Sequence, residues 1–136
     1  MRVSIIRKAH FNACHRLHVK SWSDDKNKEV FGTCNSPNYH GHNYDLEVKL
    51  TGEVDAVTGY LMDLKDLKDI IKDEIEDRFD HKNLNLDTEE FKDMNPTTEN
   101  FAYIIHTLLR AKIDPEIDIK IRLWETARNG VEYPAD

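Results

Sequence analysis

His40-Gly41-His42-Asn43-Tyr44-Asp45-Leu46-Glu47-Val48-Lys49-Leu50 is the stretch that decides the fold. From Asn43 onward polar and apolar residues alternate, the period of a half-buried strand. On a strand, residues i and i+2 face the same way. A strand that begins at His40 therefore stands two imidazoles side by side, and Gly41 leaves the opposite face bare. Two neighbouring neutral imidazoles suit a borderline-soft divalent cation, zinc above all. The third ligand must come from elsewhere, and His15, in Phe11-Asn12-Ala13-Cys14-His15-Arg16-Leu17, is the candidate. Three protein ligands plus an open position is the arrangement of a catalytic zinc rather than a structural one. Histidine pairs are also ordinary surface or core residues. Here the pair has company in Cys34, Asp80-His81 and Glu125.

Working outward, residues 2 to 17 read as the preceding strand, with Phe11, Ala13, His15 and Leu17 on one face. Residues 18 to 38 read as a polar loop broken by Ser, Asn and Pro. Residues 39 to 54 make the second strand, and a turn follows at 55 to 59. A helix starts after Asp63, a plausible N-cap, with Leu64, Leu67, Ile70, Ile71, Ile75 and Phe79 as its apolar face. A second helix starts near Pro96 and carries Phe101, Ile104, Ile105, Leu108 and Leu109. Residues 117 to 126 alternate as a strand. Asn129-Gly130 is a hairpin signal leading into Val131-Glu132-Tyr133. The order ββααββ predicts an α+β fold, a four-stranded antiparallel sheet with two helices on one face. Such a sheet has two edges. Pairing them between subunits predicts an oligomer.

Composition narrows the function classes. The 136 residues are expected to form a single domain, 1–136, with a real core. A formal net charge of −7 disfavours nucleic acid as a partner. No run of about 18 apolar residues predicts a membrane span. The N-terminus turns charged too early for a signal peptide, so a cytoplasmic location is expected, with Cys14 and Cys34 as free thiols.

Cys34 lies six residues before His40 in a polar setting, and a thiol beside a cation and an imidazole is a candidate for reactive chemistry. In Asp80-His81 a carboxylate can orient an imidazole, though adjacent side chains do not automatically touch. Glu125 ends an alternating strand. It is either a rim carboxylate or a partner for a ligand edge with two parallel N–H donors. Thr97 and Thr98 are helix caps by default and ligand contacts as the alternative.

Phe11 to Leu17, Cys34 to Tyr44, Gly59-Tyr60-Leu61-Met62-Asp63, Phe79 to Asn85, Pro96 to Asn100 and Trp124-Glu125-Thr126 resemble the successive motifs of the 6-pyruvoyltetrahydropterin and 6-carboxytetrahydropterin synthases. The match runs nearly end to end. The resemblance implies the tunnelling fold (T-fold), with trimers closing a twelve-stranded barrel and two trimers stacking into a homohexamer with sites at subunit interfaces. It implies zinc on His15, His40 and His42, Cys34 as catalytic thiol, and Asp80 and His81 as a proton relay. Glu125 is implied as the pterin anchor, assisted by Thr97 and Thr98. The implied substrate is 7,8-dihydroneopterin triphosphate, and the resemblance allows magnesium with the triphosphate. In the carboxy branch the cysteine usually sits four residues before His-Gly-His. Ser36 holds that place here and the cysteine is at six, which favours the pyruvoyl product over the 6-carboxy one. Cys14 replaces the small residue usual before the first histidine. A non-catalytic zinc or pterin-binding module is the alternative from another class. It predicts a fourth protein ligand and unfolding on metal loss.

Overall fold

Strands β1 (Arg2–His15) and β2 (His40–Glu53) pair antiparallel along their whole length in the computed structural model, which describes residues 1–136. Alternation decides what they bury. Phe11, Ala13 and His15 of β1 and Tyr44, Leu46, Val48 and Leu50 of β2 face the core, while Asn12, Gly41, Asn43, Asp45 and Lys49 stay exposed. Strand β4 (Asp118–Trp124) adds to β2, and β5 (Gly130–Tyr133) adds to β4.

The sheet has five strands and is mixed, which corrects the expected four-stranded antiparallel one. Strand β3 (Lys82–Asn83) runs parallel to β1 at Ala13 and Cys14, giving the order β3-β1-β2-β4-β5. Two residues carry no periodicity to read. The strand exists because the chain is pinned to the β1 edge: the His81 N–H donates to the Asn12 carbonyl at 2.7 Å, and Asp80 Oδ1 accepts from the Asn12 N–H at 3.0 Å.

The expected helices cover one face. Asp63 caps α2 (Leu64–Ile71), its Oδ1 accepting from the Lys65 N–H at 2.9 Å. A π turn (Lys72–Glu76) and α3 (Asp77–Phe79) continue the rod. The buried residues Leu67, Ile71, Ile75 and Phe79 recur every fourth position. At 3.6 residues per turn that stripe would rotate about 40° per step away from the sheet. The wider π turn absorbs this drift. After the short α4 (Leu84–Asp87), helix α5 (Thr98–Arg110) buries Phe101, Ala102, Ile105 and Leu109 over the same face. Twenty buried apolar residues, from the sheet, the helices and the loop positions Phe91 and Ile113, form one core.

Three further readings change. Strand β1 ends at His15 rather than at residue 17, and the Leu17 N–H turns to the Cys34 carbonyl. The supposed polar loop 18–38 contains α1 (Asp24–Phe31) and a 3₁₀ turn (Gly32–Asn35). Helix α1 buries only Asn27, so it carries no apolar stripe to detect, although Ser23 before Asp24-Asp25 is an N-terminal signature. The last hairpin turns over residues 125–129, not at Asn129-Gly130, because Gly130 already pairs with Trp124. A Cβ at Gly130 would lie 2.6 Å from the Trp124 ring, so glycine is needed there for the indole rather than for the turn. No helix is long and apolar enough to cross a membrane.

Candidate metal centre

The register of β1 on β2 sets His15 directly opposite His40 and the small Ala13 opposite His42. All three imidazoles therefore project from one end of the sheet toward the core face. One ring nitrogen from each lies within 4.8 Å of the others. His15 is 1% exposed. Its Nδ1–H donates to the Pro96 carbonyl at 2.8 Å, which leaves the Nε2 lone pair free. That Nε2 lies 3.0 Å from His40 Nε2. Burial pushes the His15 imidazole down from the usual 6.5 to about 4, and the neighbouring His40 and His42 push the same way, against the Pro96 hydrogen bond. Burial, then His42, also lowers His40. Both shifts favour the neutral ring at His15 and His40, the state that binds metal. His40 Nδ1 and His42 Nε2 are buried without a hydrogen-bond partner. Orphaned buried nitrogens beside two facing lone pairs fit a divalent cation.

Beneath the histidines lies an aromatic floor. His42 meets Tyr44 edge-on at 5.8 Å, and Tyr44 packs against Phe11 and Phe101. Burial pushes the Tyr44 phenol up, with the Glu125 charge adding to it.

Glu125, just past the end of β4, reaches the same place. Its Oε1 lies 3.6 Å from His42 Nε2, and its Oε2 lies 3.9 Å from His15 Nε2, too far for hydrogen bonds. The Thr98 hydroxyl donates to Oε2 at 2.5 Å and steadies the carboxylate. The two threonines thus divide their work, because the Thr97 hydroxyl accepts from the Asn100 N–H as the cap of α5.

Asp80 and His81 do touch, Oδ2 to Nδ1 at 3.0 Å. The Asn12 N–H, first, and then His81 hold the Asp80 carboxyl below its usual range. His81 adopts φ 61°, a left-handed conformation rare for a side-chain-bearing residue. The dyad stands apart from the cluster. His81 borders a cavity of about 490 Å³ lined by Asn12, Cys14, Gly41 and Asn43, outward-facing residues of β1 and β2, and also by His42 of the cluster. Cys34 sits on the 3₁₀ turn, half-buried, and is not a member of the histidine cluster.

Such a site on such a sheet invites comparison. The family model described as 6-pyruvoyl tetrahydropterin synthase matches residues 4–136. The chain belongs to the 6-pyruvoyl tetrahydropterin synthase family. It is similar to the 6-pyruvoyl tetrahydrobiopterin synthase of Poecilia reticulata, 46% identical over 129 residues, covering 95% of this chain and 88% of that one. The Homo sapiens protein of the same name is 40% identical over 135 residues, covering 99% and 93%. The solved structure of Caenorhabditis elegans 6-pyruvoyl tetrahydropterin synthase superimposes with a TM-score of 0.94 at 40% identity, covering 100% of this chain and 97% of that one. The fold is accordingly the tunnelling fold, with the extra short strand β3.

Within this family member, three supporting groups carry no signal of their role in the sequence. The Pro96 carbonyl that orients His15 is a backbone atom and leaves no trace in residue type. Asn27 and Asn35 read in the sequence as loop breakers. Buried, they organise the loop: Asn27 bonds both backbone groups of Val19, and Asn35 Nδ2 donates to the Leu17 carbonyl.

Proposed function

We propose that this chain converts 7,8-dihydroneopterin triphosphate into 6-pyruvoyl-tetrahydropterin with loss of triphosphate. The observation that carries the reading is the three-histidine cluster, built on the buried His15, with a hydroxyl-steadied carboxylate, Glu125, beside it. A zinc ion held by His15, His40 and His42 would supply Lewis-acid polarisation of the substrate side-chain oxygens.

The chain's own groups do the rest. Glu125 offers its carboxylate to the two parallel N–H donors of the amino-pyrimidinone edge, with Thr98 fixing its orientation. That seats the pterin ring so that its side chain meets the histidine end. Cys34 serves as the base at the side-chain carbon. Asp80 accepts from His81 Nδ1–H, which leaves Nε2 to carry protons to and from the hydroxyls. Moving hydrogen from the side-chain carbons to the ring and expelling triphosphate balances without a redox cofactor.

The dyad lies outside the histidine cluster with the His81 side chain exposed, which supports a site completed between subunits, with Asp80 and His81 of one copy serving the histidines of another. The ends of the sheet agree with this. Strand β3 covers β1 only at Ala13 and Cys14, and β5 is four residues long, so edge groups remain for pairing with neighbouring copies in a homohexamer of two trimers. Cys34 at six residues before His40, rather than at Ser36, favours the pyruvoyl product.

Incubating the zinc-loaded protein with 7,8-dihydroneopterin triphosphate and weighing the products tests the reading. Release of triphosphate with a 6-pyruvoyl product upholds it. A 6-carboxy product with acetaldehyde overturns the branch, and no turnover overturns the activity.

A further inference from the structure

A cavity of about 560 Å³ opens beside Pro96, the residue whose carbonyl holds His15. Its charge runs against that of the molecule. The chain as a whole has a formal charge of −7, yet Arg16, Lys20 and Lys92 line this cavity against a single carboxylate, Asp93. None of the three cations makes an ion pair, whereas Arg2, Lys72, Arg78, Lys112, Lys120 and Arg122 all do. Arg16 donates through Nε to the Asn35 carbonyl at 3.0 Å, which aims the guanidinium while leaving both terminal nitrogens without a protein acceptor.

A neutral donor stands among them. The Asn35 side-chain amide donates to His18 Nδ1 at 2.9 Å, which places the proton of neutral His18 on Nε2. His18 is itself held by its own N–H, which donates to Asn95 Oδ1 at 3.1 Å. The wall is also continuous with the candidate metal centre through the backbone. Arg16 directly follows His15, and Tyr39, at φ 65°, directly precedes His40. The segments that deliver two metal ligands thus run straight into the cavity wall.

Unpaired cations, a neutral N–H donor and adjacency to the histidines are what a polyphosphate tail requires when its pterin end is anchored nearby. We propose that this cavity is the triphosphate subsite, with Arg16, Lys20 and Lys92 binding the phosphate oxygens and His18 Nε2–H donating to them. This rests on the reaction proposed above. It explains how an acidic chain takes a substrate carrying several negative charges, and why the phosphate-bearing end of the side chain is drawn past the histidines rather than into solvent.

Two readouts test it. Arg16 adjoins a metal ligand, so the variants are the exposed Lys20→Met, Lys92→Met and their double, with Lys68→Met on α2 as control. Titration calorimetry with inorganic tripolyphosphate is run on metal-loaded and on chelator-treated protein, so that capture of the metal by the anion is not read as binding. The expected result is binding to both wild-type forms and to Lys68→Met, weakened roughly tenfold or more in the double variant. In turnover, KM for the triphosphate substrate rises by a similar factor with kcat little changed. Equal tripolyphosphate affinity in wild type and double variant, or no binding to the chelator-treated wild type, overturns the subsite. Because calorimetry needs no turnover, a protein that binds tripolyphosphate in this lysine-dependent way but leaves the substrate unchanged keeps the anion site and overturns only the reaction.

Discussion

The carbonyl oxygen of Pro96 lies 2.8 Å from His15 Nδ1, which makes Nε2 the nitrogen that His15 turns toward His40. A buried histidine would otherwise be free to present either nitrogen. The start of helix α5 thus selects the tautomer of a residue 81 positions earlier in the chain.

Burial gives this arrangement a pH dependence. His15 falls from 6.5 when unfolded to about 4 when folded, so between these values the unfolded chain binds more protons. Stability of the metal-free protein is therefore full above pH 6.5 and declines as pH falls toward 4, by about 3 kcal/mol from this residue. Urea midpoints of chelator-treated protein at pH 7.5 and 4.5 measure it. In His15→Asn the pH-dependent increment disappears. Metal affinity falls over the same window, because protons compete for the ring nitrogens. The twenty-residue core holds no metal ligand, so chelator-treated protein at pH 7.5 keeps its near-ultraviolet circular dichroism.

Replacing the Thr98 hydroxyl frees the carboxylate of Glu125 to rotate. Thr98→Val should raise KM about tenfold while kcat changes little, since a hydrogen bond to a charged group contributes about 1.5–3 kcal/mol. Glu125→Gln should weaken pterin binding further, as one of its two acceptor sites becomes a donor. Steady-state kinetics together with pterin binding by fluorescence separate the two. Unchanged KM in both variants would sink the anchor assignment.

Cys34→Ala and His81→Ala should each lower turnover by about 10²-fold or more while metal content stays at one ion per chain, since neither residue belongs to the histidine cluster. If His81 serves the site of a neighbouring copy, co-refolding the two inactive variants restores part of the activity, because some interfaces then combine an intact Cys34 with an intact His81. Absence of restoration would place both groups in one subunit's site.

Gly130→Ala brings a methyl group to 2.6 Å from the indole of Trp124. Displacing the ring should cost about 1–3 kcal/mol. It should also shift Trp124 fluorescence, with no change in metal stoichiometry, since neither residue belongs to the histidine cluster.

Legibility varied with the length of the pattern. Alternation from Asn43 to Leu50 placed β2 correctly and, with it, the common direction of His40 and His42. The stripe from Leu67 to Phe79 places the first helical rod, and its four-residue spacing, wider than the α-helical 3.6, is the sequence counterpart of the π turn. Strand β3 was beyond reach, since two residues have no period and their pairing depends on Asn12, some seventy positions away. Helix α1 escaped because the residue it buries is an asparagine.

By itself, the sequence determined the inward rows of β1 and β2, the capped helices, and the residue types of a metal centre, all products of local periodicity and side-chain chemistry. Only the tertiary structure decided which of those residues meet. It joined Glu125 and Thr98 to the three histidines, left Asp80–His81 outside that cluster, and gathered Arg16, Lys20 and Lys92 around one cavity. Periodicity reports which way a side chain points within its own element. Which partner it finds depends on how elements far apart in the chain pack against one another.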